Sequence, residues 1–149
     1  MPNIAVPFRL NAAARLRHLD EFNRRAEIGW FGFAGEFVEP GEARITFARM
    51  AQGALGGGGT QAVNGGVIAA GFDAAFVLAG LGHYEADVVV TLELSVKYLS
   101  LAIADRPLAF RAHVVRSARH FAFAEGRLGD PDGSGVPCAL ATAMVAPGR

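Results

Sequence analysis

The chain has 149 residues, 52% of them hydrophobic and 19% charged, with fourteen basic side chains against fourteen acidic ones. These figures predict one folded domain over 1–149 with a real core and exclude a disordered chain; scattered, balanced charge excludes a footprint for nucleic acid. Zero net charge with a mean hydropathy of +0.28 implies apolar surface covered by another copy of the chain, so an oligomer is expected.

The first element is an amphipathic helix over residues 11–28, where Ala13, Leu16, Leu19, Phe22 and Ala26 recur at helical spacing among charged residues. With residues 1–29 it forms an N-terminal helical extension. Phe31, Phe33 and Phe37 then alternate in a strand from Trp30 to Phe37. The turn Glu39-Pro40-Gly41-Glu42 leads to a partner strand from Arg44 to Arg49, completing a hairpin. A Gly-rich stretch, "GALGGGGT" at 53–60, reads as a mobile loop. It fails the phosphate-loop pattern, because Gly59 stands where Lys is required after Gly53 and Gly58.

Residues 64–82, "NGGVIAAGFDAAFVLAGLG", predict a helix that is apolar on nearly every side and interrupted by one carboxylate, Asp73. Such a helix is wrapped by a sheet and covered on its far side by something else, for which a second subunit is the natural source. It is too short to cross a membrane. Four strands follow. Asp87 to Tyr98 sets Val88, Val90, Leu92, Leu94, Val96 and Tyr98 on one face. Leu108 to Val115 and His120 to Leu128 are joined by "RSAR" at 116–119, and Val136 to Val145 comes last. Short connections between strands predict an antiparallel α+β fold.

Several chemistries find no support. His18, His83, His113 and His120 lack metal-ligand spacing, and His83, Glu85 and Asp87 read as a solvated strand entry. No G-x-S-x-G motif surrounds a serine. Cys138, the only cysteine, precludes an internal disulfide and fits a reducing compartment. The N-terminus has no apolar signal core, and Asp20 and Glu21 argue against a transit peptide, so a cytoplasmic location is expected. Neither a metal nor another cofactor is expected.

Asp73 is the exception. A carboxylate set among apolar residues costs free energy unless it is satisfied, and helix propensity gives no reason for it. Such groups cluster at functional sites. At the helix start Asn64 is an N-cap, and Gly65 and Gly66 let backbone N–H groups approach a ligand, where they stabilise an oxyanion. An oxyanion hole and a base on one helix amount to acyl-transfer or hydrolytic chemistry. Gly66 and Asp73 lie about 10 Å apart along the axis, too far to act on one carbonyl. Two antiparallel copies of the helix would bring Gly65 or Gly66 of one to Asp73 of the other, so a site shared across a dimer is expected.

"NGGVIAAGFDAAF" at 64–76, "VTLELSVKYLSLA" at 90–102 and "AHVVRSARHFAFAEGRL" at 112–128 resemble the PaaI-like acyl-CoA thioesterases of the hotdog fold. The resemblance runs from Trp30 to Val145. It implies an antiparallel sheet wrapped round a long central helix, an active site at the interface of a homodimer or dimer of dimers, and an acyl-CoA substrate. It places Asp73 at the acidic position as general base or nucleophile, Gly65 N–H at the thioester carbonyl and Thr91 beside the attacking water. Strict alternation turns Thr91 away from the site, so that role requires a β-bulge or a place at the subunit boundary. Two residues depart from the pattern: Asn64 stands in place of a His, and Gly58 in place of an Asn. The side-chain amide of Asn64 still has donors for an oxyanion. Substrate-binding expectations fall on Gly66 and, for the coenzyme A phosphates, on Arg116 and Arg119. The rival is a non-catalytic acyl-CoA-binding protein; a hotdog dehydratase would need a His at the helix start.

Overall fold

A computed structural model describes residues 5–56, 59 and 61–148. Its elements in chain order are α1 (Ala12–Asn23), α2 (Ala26–Phe31), β1 (Phe33–Val38), β2 (Glu42–Phe47), α3 (Gly65–Leu81), β3 (Val89–Tyr98), β4 (Ala109–Ser117), β5 (Ala122–Gly129) and β6 (Ala139–Pro147). The six strands form one sheet in the order β1-β2-β4-β5-β6-β3, every neighbouring pair antiparallel. The sheet wraps α3, as the hotdog arrangement requires.

The central helix matches its sequence boundaries. Asn64 Oδ1 accepts from Gly66 N–H at 2.8 Å and starts it, and Gly82 ends it. Two glycines let the sheet approach. A Cβ on Gly71 would overlap the ring of Phe110, and one on Gly80 would lie 2.8 Å from Val89 Cγ1. Phe72, Phe76 and Leu78 are fully buried among the inward side chains of the strands, including Ile45, Phe110, Val114 and Val145.

The N-terminal extension differs from the single helix expected. It breaks at Arg24 and Arg25 into α1 and α2, and α1 buries Ala14, His18 and Phe22 rather than Leu16, which is exposed. In one continuous helix Ile28 would point about 120° away from Phe22. The break turns both residues into the core. Asn23 fixes it, because its side chain donates to Gly35 O at 3.0 Å and accepts from Gly35 N–H at 2.8 Å, as a neighbouring strand would. Trp30 and Phe31 therefore end α2, and β1 starts at Phe33. The second strand of the hairpin begins at Glu42, two residues before the position expected. Part of the cover over α3 thus comes from the chain itself.

Two connections also differ. β4 continues through Arg116 to Ser117, so "RSAR" is half strand and the turn falls at 118–121. His83 is buried rather than solvated, and Glu85 and Asp87 alone are exposed. The segment before α1 lies over it: Phe8 packs against the His83 ring at 5.8 Å, Phe8 N–H donates to Pro40 O, and Leu10 N–H donates to Gly82 O. Burial, with the Arg9 guanidinium nearby, lowers the imidazole pKa from 6.5 to about 4. Between those values the unfolded chain binds a proton that the folded chain refuses, so stability should fall as pH drops from about 6.5 toward 4. Urea denaturation across that window checks this: the midpoint should decline with acidity, and the decline should shrink in His83→Gln.

Candidate active site

The start of α3 offers an open donor at Gly65. Gly66 N–H is occupied by its cap, Asn64 Oδ1, which corrects the expectation that both glycine N–H groups are free. Gly65 N–H has no acceptor among the described residues. The Asn64 side chain is exposed, and its Nδ2 has no partner among the described residues. Tyr98, at the end of β3, lies over the same turn. Its hydroxyl donates to Gly65 O at 2.6 Å and its ring stands beside Gly65 Cα, so it fixes the peptide that follows the open N–H. No sequence signal singles out Tyr98 for this, because the contact depends on how the sheet folds back over the helix.

Gly65 is not required by packing within the chain. A Cβ there would meet only the Tyr98 ring at ordinary contact distances of 3.5–3.7 Å, whereas Gly71 and Gly80 are forced by close neighbours. Packing within the described chain therefore does not account for glycine at this position. The same turn opens into a recess of about 360 Å³ lined by Val63, Gly65, Ile68, Tyr98 and residues 99–102.

Asp73 lies two turns further along α3, half-buried, and forms no hydrogen bond or ion pair with any described residue. It opens into a different recess, of about 100 Å³, between α2 and α3. Arg25 lines that recess too, a cation the helix sequence does not reveal. The two recesses share no residue. One chain therefore holds the open donor and the free carboxylate in separate places.

Thr91 reaches the inner face through a bulge. It pairs with Val145 and Glu93 pairs with Met144, which leaves Leu92 as the extra residue. The expected single face from Val88 to Tyr98 is thereby split: Val90 and Leu92 are exposed, while Thr91 joins fully buried Val145 on the helix side. Its Oγ1 is buried with no hydrogen-bond partner among the described residues.

Arg116 and Arg119 are exposed at the β4–β5 turn. Tyr84 Oη donates to Ala118 O at 2.6 Å, which anchors that turn near the C-terminal end of α3. Gly65 begins the helix and the turn sits beyond its end, about 25 Å away. These arginines are not gathered with Gly65 in one chain. Gly58 lies outside the described residues.

The chain matches the thioesterase superfamily over residues 60–136, more than half its length. No curated protein matches it in sequence. A thioesterase family protein from Silicibacter pomeroyi superposes with a TM-score of 0.74 at 24% identity, covering 91% of this chain and 97% of that one. The E. coli PaaI protein from the phenylacetic acid degradation operon gives 0.76 at 16% identity, covering 93% and 96%. A mutant thioesterase from Pseudomonas aeruginosa gives 0.76 at 14% identity, covering 95% and 97%. By its sequence over 60–136 and by its hotdog architecture, the chain belongs to the thioesterase superfamily.

Proposed function

We propose that the protein hydrolyses acyl-CoA thioesters at sites built between two copies of the chain. The observation that carries this reading is the separation just described: an open N–H at Gly65 and an unpaired carboxylate at Asp73, on one helix but in different recesses. Antiparallel apposition of two α3 helices, with Gly65 of one copy near Asp73 of the other, completes both sites at once. The turn at Arg116 and Arg119, distant from Gly65 of its own chain, then falls on the side of the partner's Gly65, where the coenzyme A phosphates extend.

The reaction divides among these groups. Asp73 takes a proton from water, whose oxygen adds to the thioester carbonyl carbon. The carbonyl oxygen becomes an oxyanion on Gly65 N–H, with Asn64 Nδ2 as second donor. Collapse breaks the C–S bond, and the thiolate recovers the proton to leave as free coenzyme A beside the carboxylic acid. Thr91 supplies a hydroxyl that orients water or Asp73. Thr91→Val tests that role, since removing a buried unpartnered hydroxyl should leave stability equal or higher by about 1–3 kcal/mol. Its thiol release should nevertheless fall, with kcat affected more than KM. Equal kcat in the variant would remove Thr91 from the mechanism.

A binding-only reading draws on one feature: the Asn64 oxygen is committed to Gly66 N–H, which ties up the residue at the start of the helix. Thiol release measured over a panel of short, medium, long and aromatic acyl-CoAs, with isothermal titration of the same compounds, separates the two. Turnover supports hydrolysis. Binding without turnover supports the second reading.

A further inference from the structure

We propose that the recess between α2 and α3 is the acyl pocket and that it selects compact acyl groups, a short chain or a single ring, over long fatty chains. This rests on the role of Asp73 given above. The acyl group begins at the carbon that the water held by Asp73 attacks, so its first atoms lie within a few ångströms of that carboxylate. Among the three recesses described, only this one includes Asp73. The recess at Thr46, Phe47 and Arg106 touches no residue of α3.

Its walls suit an acyl group. Ile28, Phe31 and Phe33 face Ala70, Ala74 and Val77, so aromatic and aliphatic surface lies over a helix face kept small on both sides of Asp73, with Arg25 and Glu27 the charged residues on the same lining. The void is about 100 Å³. A water molecule's share of liquid volume is about 30 Å³, and an apolar cavity of about 150 Å³ holds benzene. Three or four carbons, or most of one ring, therefore fill it, and the rest of a long chain would have to leave through its open side.

The wall is fixed. A six-residue helix does not persist unaided, but α2 is held at its C-terminal end. Gly32 ends it at φ +76°, and the Arg49 guanidinium donates to Gly29 O at 2.9 Å and Trp30 O at 3.3 Å. The Phe31 ring stacks on Phe33 at 5.2 Å, with Trp30 edge-on behind it at 4.9 Å. Phe31 is thus the residue that sets the depth of the pocket.

The test compares butyryl-, benzoyl-, octanoyl- and lauroyl-CoA, by initial rate of thiol release and by dissociation constant, in the wild type, Phe31→Ala and Ala70→Leu. The wild type should favour butyryl- or benzoyl- over lauroyl-CoA by at least about tenfold, the scale that a few methylenes command in an apolar pocket. Phe31→Ala should move the optimum to octanoyl-CoA. Ala70→Leu, which needs no large side chain removed from the core, should penalise benzoyl- more than butyryl-CoA. A wild type that prefers lauroyl-CoA overturns the proposal, as do variants that change every substrate by one common factor. If no thioester is cleaved but the dissociation constants show the same discrimination, the pocket stands and the hydrolytic role of Asp73 falls. If neither rate nor binding discriminates, the pocket falls.

Discussion

Asp73→Asn should yield a folded protein whose thioester hydrolysis is lower by about 10²–10⁴-fold, the range that a positioned general base contributes. The two side chains are nearly equal in size, and the carboxylate makes no hydrogen bond or ion pair within the described chain that the amide would lose. Replacing a half-buried charge by a neutral group also removes a desolvation cost, so the thermal midpoint should hold or rise. Stability and activity should move apart, and this distinguishes a catalytic carboxylate from a structural one. Thiol release from the best acyl-CoA gives the rate, and thermal denaturation gives the control. Activity within about twofold of wild type would assign the base elsewhere, because no general-base contribution is that small. Substrate affinity provides a second readout. A base acts on the attacking water and leaves ground-state binding nearly unchanged, so the loss belongs in kcat rather than KM.

The sequence carried some of this site and hid the rest, for reasons that differ by residue. The helix boundaries were legible because Asn64 and Gly82 are local signals that act through neighbouring backbone groups. Asp73 was legible because a lone carboxylate in an apolar run needs a reason. The break in the N-terminal extension was not, since it depends on Asn23 reaching Gly35, twelve residues away, across space that only the folded sheet defines. The bulge at Leu92 was hidden for a related reason: strict alternation is the default reading of a strand, and an extra residue changes the face of everything before it. A bulge was one of two ways for Thr91 to reach the site, the other being the subunit boundary, and alternation alone could not choose between them. Tyr98 and the walls supplied by Ile28 and Phe31 left no local trace, as their meaning comes wholly from long-range packing.

Gly65→Ala should raise helix propensity, leave the fold intact and lower hydrolysis by about 10²–10³-fold, the cost of losing one oxyanion-hole donor. The methyl meets only the Tyr98 ring, at contact distances the fold accommodates. It stands, however, beside the N–H that the thioester oxygen must reach, and a displacement of about 1 Å is enough to cost that factor. The same variant decides whether the site is shared. Chains carrying Gly65→Ala and chains carrying Asp73→Asn are each inactive alone. In a mixed pair, one of the two shared sites combines Asp73 of the first chain with Gly65 of the second, both unaltered. Unfolding the two variants together and refolding them should therefore restore a substantial part of the activity. A site contained within one chain restores nothing on mixing, since every chain then carries a defect in its own site. Restoration thus reports the assembly and the catalytic geometry in one measurement.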